Sequence, residues 1–143
     1  MHLSAQLLYA HRHSQEFDTW LDALIAGAAE GDELSSVKLG LVAAELAVLR
    51  ALDGPPAPDE ETADLKRVRQ SGKYTVWRVS HPYQPGVAIR LICWFPPDAK
   101  IVVVALFAGD KGRIGDVWYN SVGTRADAII EQWKREVRYD REA

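Results

Sequence analysis

Two strand-like segments of this chain set an arginine among apolar residues, and a short basic loop follows them. Arg78 lies in Tyr74-Thr-Val-Trp-Arg-Val79 and Arg90 in Val87-Ala-Ile-Arg-Leu-Ile-Cys-Trp-Phe95. A third segment, Ile101-Val-Val-Val-Ala-Leu-Phe107, runs into Ala-Gly-Asp-Lys-Gly-Arg113, which brings Lys111 and Arg113, with Tyr119 shortly beyond. Those residue types suit a phosphate. A guanidinium fork holds two phosphate oxygens and keeps its charge near neutrality. RNA can be cut without a metal when its own 2′-hydroxyl attacks phosphorus in line. The protein then has to move protons, worth about 10²–10⁴-fold, and neutralise charge on the phosphate, which often contributes more. Arg78, Arg90, Lys111, Arg113 and Tyr119 are the candidates for that work, with His81 as a further proton carrier.

Each candidate has a plainer reading. Arg78 and Arg90 also fit a solvated sheet face, and charge is common in a Gly-Asp-Lys-Gly-Arg turn. Tyr119 also fits as packing for the last helix, and His81, beside a proline turn, as a structural residue. Lys66-Arg-Val-Arg69, with Lys73 after it, suits RNA contact better than catalysis, because phosphate contacts position a strand without demanding special pKa values. His11-Arg-His13 sets two imidazoles close together, but no third clustered ligand accompanies them for a metal. Gly109-Asp-Lys-Gly112 is too short for a phosphate-binding P-loop, and no nucleophile-elbow signature is present. No cofactor is expected.

The elements that must position these residues change period midway along the chain. Leu3–Tyr9 reads as a short strand. From Gln15 to Ala28, Phe17, Trp20, Leu21, Leu24, Ile25 and Ala28 recur at helical spacing. A second helix is expected from Ser35 to Leu52, capped by Ser35 or Ser36. Asp53-Gly54 with Pro55, Pro56 and Pro58 ends it. Beyond that loop the spacing becomes two. Tyr74, Val76 and Arg78 share one face, and Thr75, Trp77 and Val79 the other. In the next strand Arg90, Ile92 and Trp94 oppose Ile89, Leu91, Cys93 and Phe95. Short links rich in Pro and Gly imply antiparallel neighbours. Val122, Ala126, Ile129, Ile130, Trp133 and Val137 then form a helical stripe, with Thr124 and Asp127 as its capping signal. The expected fold is α+β: N-terminal helices on one face of an antiparallel sheet of three to four strands, the other face partly open, and a C-terminal helix.

A chain of 143 residues fits one domain, residues 1–143. Its longest apolar run is far below the roughly 20 residues of a membrane-spanning helix. The N-terminus lacks the signature of a secretory signal, and Cys93 as a lone cysteine reads as packing. A cytoplasmic bacterial protein with no membrane association is the expectation. The net charge of −3 hides an asymmetry. Met1–Asp64 holds 3 basic and 12 acidic residues, a balance of −9, while Leu65–Ala143 holds 14 basic and 8 acidic, a balance of +6. A polyanion responds to the local field of the second half; acidic helices and a basic sheet that merely keep the protein soluble is the other reading.

Over residues 7–137 the chain resembles the RelE/ParE toxin superfamily, nearest its HigB-like branch. Phe17-Asp-Thr-Trp-Leu-Asp-Ala-Leu24 is similar to that family's first helix, and Val37–Leu52 with Gly54 and a proline to its second helix and exit. Leu65-Lys-Arg-Val-Arg69, the three strand segments, the Asp110-Lys111 loop, Tyr119 and Ala126 are similar to the family's strands and the segment before its last helix. The resemblance implies a RelE-like fold and the toxin of a type II toxin–antitoxin pair, cleaving mRNA on the ribosome and silenced by a co-encoded antitoxin. It makes Arg78 and Arg90 phosphate-binding or charge-stabilising, Lys111 and Arg113 the basic loop, and Tyr119 an accessory. The chain departs from the family where several consecutive lysines are usual, since Asp110 and glycines dilute them here. A ParE-like member would instead poison gyrase by contact, and an inactive toxin relative would act by protein binding alone.

Overall fold

A computed structural model of the chain describes residues 10–98, 102–111 and 115–142. The elements run β1 (Ala10–His13), α1 (Gln15–Ala29), α2 (Glu33–Arg50), β2 (Leu65–Arg67), β3 (Trp77–Ser80), β4 (Ile89–Trp94), β5 (Val102–Asp110), a 3₁₀ segment (Gly115–Ser121) and α3 (Val122–Glu142). The suggested strand at Leu3–Tyr9 lies outside the described residues.

Local chemistry accounts for the helix ends. Ser14 caps α1, its Oγ accepting from the Phe17 amide at 3.0 Å, and Glu16 and Asp18 place negative charge in the first turn. Gly31, at φ 90°, turns the chain between α1 and α2 in a region that side chains disfavour. The cap of α2 is Asp32, not Ser35 or Ser36. Its carboxylate accepts from the amide and the hydroxyl of Ser35, which holds its pKa below the ordinary carboxylate value, and the helix starts at Glu33. Thr124 is not the cap of α3 but its third residue, because the helix starts at Val122. The 3₁₀ segment leads directly into α3, and Asp127 turns away to accept from the amides of Lys73 and Tyr74 at 2.7 and 3.1 Å.

The sheet corrects the expected three or four antiparallel strands. Among the described residues it has five, in the order β1-β5-β4-β3-β2, and is mixed: β2 to β5 are antiparallel, while β1 runs parallel to β5. A bulge lets the β4–β5 register pass over Leu106, and the carbonyl of Leu106 accepts from Ser14 Oγ.

Both sheet faces carry packed residues, and the second, expected to be partly open, is covered beneath α3 and the 3₁₀ segment and opens where Lys66, Arg78 and Arg90 stand half-buried. One face buries Trp77, Val79, Leu91, Cys93, Val103 and Ala105 with Phe17 of α1 and Val42, Leu46 and Leu49 of α2. The other buries Val76, Ile92, Trp94, Val104, Leu106 and Phe107 beneath Trp118, Val122, Ala126 and Ile130. The alternation read from the sequence holds in both central strands. Among the described residues no helix is long and apolar enough to cross a membrane.

Candidate anion site on the sheet face

Register decides which basic residues meet. Lys66 on β2 pairs with Arg78 on β3, and Ser80 on β3 pairs with Arg90 on β4. Alternation sets Lys66, Arg78, Ser80 and Arg90 on the face that carries Ile92. The apolar stripe of α3 covers the Ile92–Trp94 end of this face. At the other end the 3₁₀ segment supplies Trp118 and Tyr119. Trp118 lies against Gly109, where an added Cβ would meet its indole nitrogen at 2.7 Å, so this approach requires glycine.

Tyr119 is the centre of the arrangement. It is 9% exposed, packs edge-on against Trp118 at 5.0 Å and belongs to the apolar cluster that holds Val122, Ala126 and Ile130 of α3. Burial pushes its phenol above the ordinary tyrosine value, although Arg78, Arg90 and Lys111 all pull it down. The phenol therefore keeps its proton at neutral pH. Arg90 lies close enough to act on it as a donor, yet among the described residues the hydroxyl finds no hydrogen bond of ordinary geometry. The Lys111 ammonium sits over the ring, 5.6 Å from its centroid, and the Lys111 amide donates to the Ala88 carbonyl at 2.8 Å.

The two arginines are held by neutral groups. Arg78 Nη1 donates to Ser80 Oγ at 3.1 Å, and Ser80 Oγ donates to the Ala63 carbonyl at 3.3 Å. Arg90 Nη1 donates to the Ile89 carbonyl at 3.0 Å, while its buried Nε has no partner among the described residues. Among the described residues neither arginine forms an ion pair with a carboxylate. A cleft of about 280 Å³ opens beside them, walled by Lys66, Arg67, Arg69, Gln70, Arg78 and Tyr119. Glu61 also lines it, with one carboxylate oxygen accepting from the Arg67 amide at 3.2 Å.

Other candidates fall elsewhere. Arg113 lies outside the described residues. Lys73 does not join the cleft: its ammonium holds Glu131 of α3 at 3.0 Å and lies over the Tyr74 ring. His81 is structural. Its Nε2 accepts from the Ile89 amide at 3.0 Å, which fixes the proton on Nδ1, and Nδ1 donates to the Pro82 carbonyl at 2.7 Å. With both nitrogens engaged, the ring has none left for proton transfer. His13 bonds Asp18 at 2.8 Å, and among the described residues no group of three or more His, Cys, Asp or Glu side chains is placed to hold a metal.

Sequence reading missed two contributors. Ser80 shares a face with Arg78 because it follows two residues later, a spacing that could have marked it. Glu45 of α2 gave no such signal. It is 0% exposed, neither carboxylate oxygen has a partner among the described residues, and burial pushes its pKa up to about 9 against the opposing pull of Arg90. Comparison of the chain with protein-family models, with curated proteins and with solved structures finds no match.

Proposed function

We propose that this chain is a RelE-like endoribonuclease, the toxin of a type II toxin–antitoxin pair, cleaving mRNA on the ribosome and held inactive by a co-encoded antitoxin protein. The observation that carries the reading is the gathering of Arg78, Arg90 and Lys111 around the protonated, unpartnered hydroxyl of Tyr119, beside a cleft lined by Lys66, Arg67 and Arg69. The order of helices, antiparallel strands and closing helix supports it too.

In this reading the guanidinium groups of Arg78 and Arg90 take the non-bridging oxygens of the scissile phosphate. They stabilise the charge that grows as the 2′-oxygen attacks. Tyr119 is a donor, not a base: its buried phenol gives a hydrogen bond to the phosphate or a proton to the departing 5′-oxygen. Lys66, Arg67 and Arg69 hold the flanking backbone. The 2′-hydroxyl releases its proton to solvent water as the 2′-oxygen–phosphorus bond forms and the phosphorus–5′-oxygen bond breaks, and the 5′-oxygen takes up a proton, leaving a 2′,3′-cyclic phosphate and a 5′-hydroxyl.

Inducing the chain in bacterial cells and mapping transcript ends tests this. Growth arrest with new 5′-hydroxyl ends inside translated codons, abolished by Arg90→Ala and by Lys111→Ala in folded protein, is the expected result. Ends bearing 5′-phosphate would overturn the chemistry. Arrest that persists in both variants without transcript cleavage would replace the nuclease with a protein-binding poison, and gyrase would then be assayed.

A further inference from the structure

We propose that the β3–β4 turn forms a subsite for one nucleobase, with Tyr83 as the stacking platform and Arg90 linking that subsite to the phosphate site; the proposal rests on the ribonuclease reading above. Tyr83 is 89% exposed, the most exposed large hydrophobic side chain among the described residues. An aromatic ring left in water on an ordered turn is a surface that a π-faced ligand can cover.

The turn is built to hold that ring. His81 ties both ends, bonding the Pro82 carbonyl through one nitrogen and the Ile89 amide through the other. Gln84 and Val87 form an isolated antiparallel bridge, and Gly86 takes φ 75°, closing the turn in a conformation that a side chain would strain. Asp110 fixes the exit, its carboxylate accepting from the Ala88 amide at 2.9 Å. A pre-set platform loses little freedom when a ligand lands on it.

Tyr83, Gln84 and Val87 line a cavity of about 190 Å³ together with Arg90, enough for a single base. The exposed Gln84 amide at its rim offers a donor and an acceptor to a base edge. Arg90 is common to this cavity and to the surroundings of Tyr119. A nucleotide whose phosphate sits at Arg90 thus has a neighbouring base within reach of Tyr83. The ligand class is single-stranded RNA with one unpaired base at this position.

A 2′-O-methylated mRNA fragment of about ten nucleotides, with 2-aminopurine walked along it, gives the test, both free and loaded on bacterial ribosomes. In the full-length protein, 2-aminopurine quenching is expected at one position only. Tyr83→Ala should abolish that quenching and weaken binding about 5- to 150-fold, whereas Tyr83→Phe keeps both and thermal melts of the two variants match the parent protein. If Arg78→Ala and Arg90→Ala lose binding while Tyr83→Ala binds and quenches like the parent protein, the subsite fails and the ribonuclease reading survives. If the parent protein binds neither free nor ribosome-loaded RNA, or if the two arginine variants bind as well as it does, both fail together.

Discussion

The two ends of one sheet face treat positive charge in opposite ways. At the end under α3, Lys73 holds Glu131 and Arg125 holds Glu16 while lying over the Phe107 ring at 4.0 Å. At the far end Arg78 and Arg90 rest on a serine hydroxyl and a backbone carbonyl. A cation that already has a carboxylate is part of the scaffold. One held in place by neutral groups keeps its charge for an anion from outside, and that anion need not displace a competitor. The difference separates residues that a charge count alone would group together.

The largest effects should divide along that line. Arg78→Ala and Arg90→Ala are each expected to lower mRNA cleavage on programmed ribosomes about 10²–10³-fold, with melting temperature nearly unchanged. Ile130→Ala, in the apolar centre beneath α3, should do the reverse: it costs roughly 2–5 kcal/mol of stability in denaturant titrations and leaves cleavage per folded molecule intact. Two arginine variants that melt far below the parent would mean that the far end is scaffold as well.

Glu45 sharpens the comparison from beneath the sheet, since the charge of Arg90 opposes the effect of burial on it. Its folded pKa of about 9 lies above the unfolded value of 4.5. Below pH 4.5 both states are protonated and the full stability is present. As pH rises toward 9 the unfolded chain gives up the proton while the folded chain keeps it, so stability falls. From pH 5 to pH 8 the parent should lose up to about 4 kcal/mol that Glu45→Gln retains, read as a flatter stability-versus-pH curve. Equal slopes for the two proteins would show that the carboxyl is not held neutral.

The sequence made the centre of this molecule legible and its edges much less so. Alternation in Tyr74–Val79 and Val87–Phe95 sorted Arg78 and Arg90 onto one face correctly, because successive side chains of a strand point to opposite faces whatever covers them. The short edge strands β1 and β2 carry polar sequences, His-Arg-His and Leu-Lys-Arg, with too little periodicity to declare themselves. The parallel pairing of β1 with β5 joins residues some ninety positions apart, and no turn signal marks it. Caps failed for a related reason: Asp127 has the local chemistry of a helix start, but two amides of the 73–74 segment compete for its carboxylate and win. For the site, residue types were legible and convergence was not, since it depends on the Lys66–Arg78 and Ser80–Arg90 registers. The burial of Glu45 was invisible.

That Asp127 clamp supplies the next smaller effect. It ties α3 to the segment between β2 and β3, and Gly72 lies so close that an added Cβ would meet the carboxylate at 2.4 Å. Asp127→Ala removes the acceptor from both amides and should cost about 1.5–3 kcal/mol, measured by denaturant titration. Because Arg69 and Gln70 lie just before this loop, some loss of RNA affinity should accompany it, and Asp127→Asn, which keeps one acceptor oxygen, should recover part of both. A variant that loses stability without any change in affinity would separate the clamp from the cleft.

The finest test compares two lysines in neighbouring segments. Lys66 lines the cleft opposite Arg78, whereas Lys73 is 68% exposed and spends its charge on Glu131. Each phosphate neutralised on a single strand contributes about 0.7 to the slope of log affinity against log salt. Lys66→Ala should therefore reduce that slope by about 0.7, and Lys73→Ala should leave it unchanged with little movement in melting temperature, because exposed ion pairs contribute little. Equal reductions for the two would show that the RNA path runs over the end of α3, and that a carboxylate partner does not remove a lysine from nucleic-acid contact in this protein. An unchanged slope for Lys66→Ala with a reduced one for Lys73→Ala would reverse the assignment of the two ends, since the strand would then follow the paired cations and not the ones held by neutral groups.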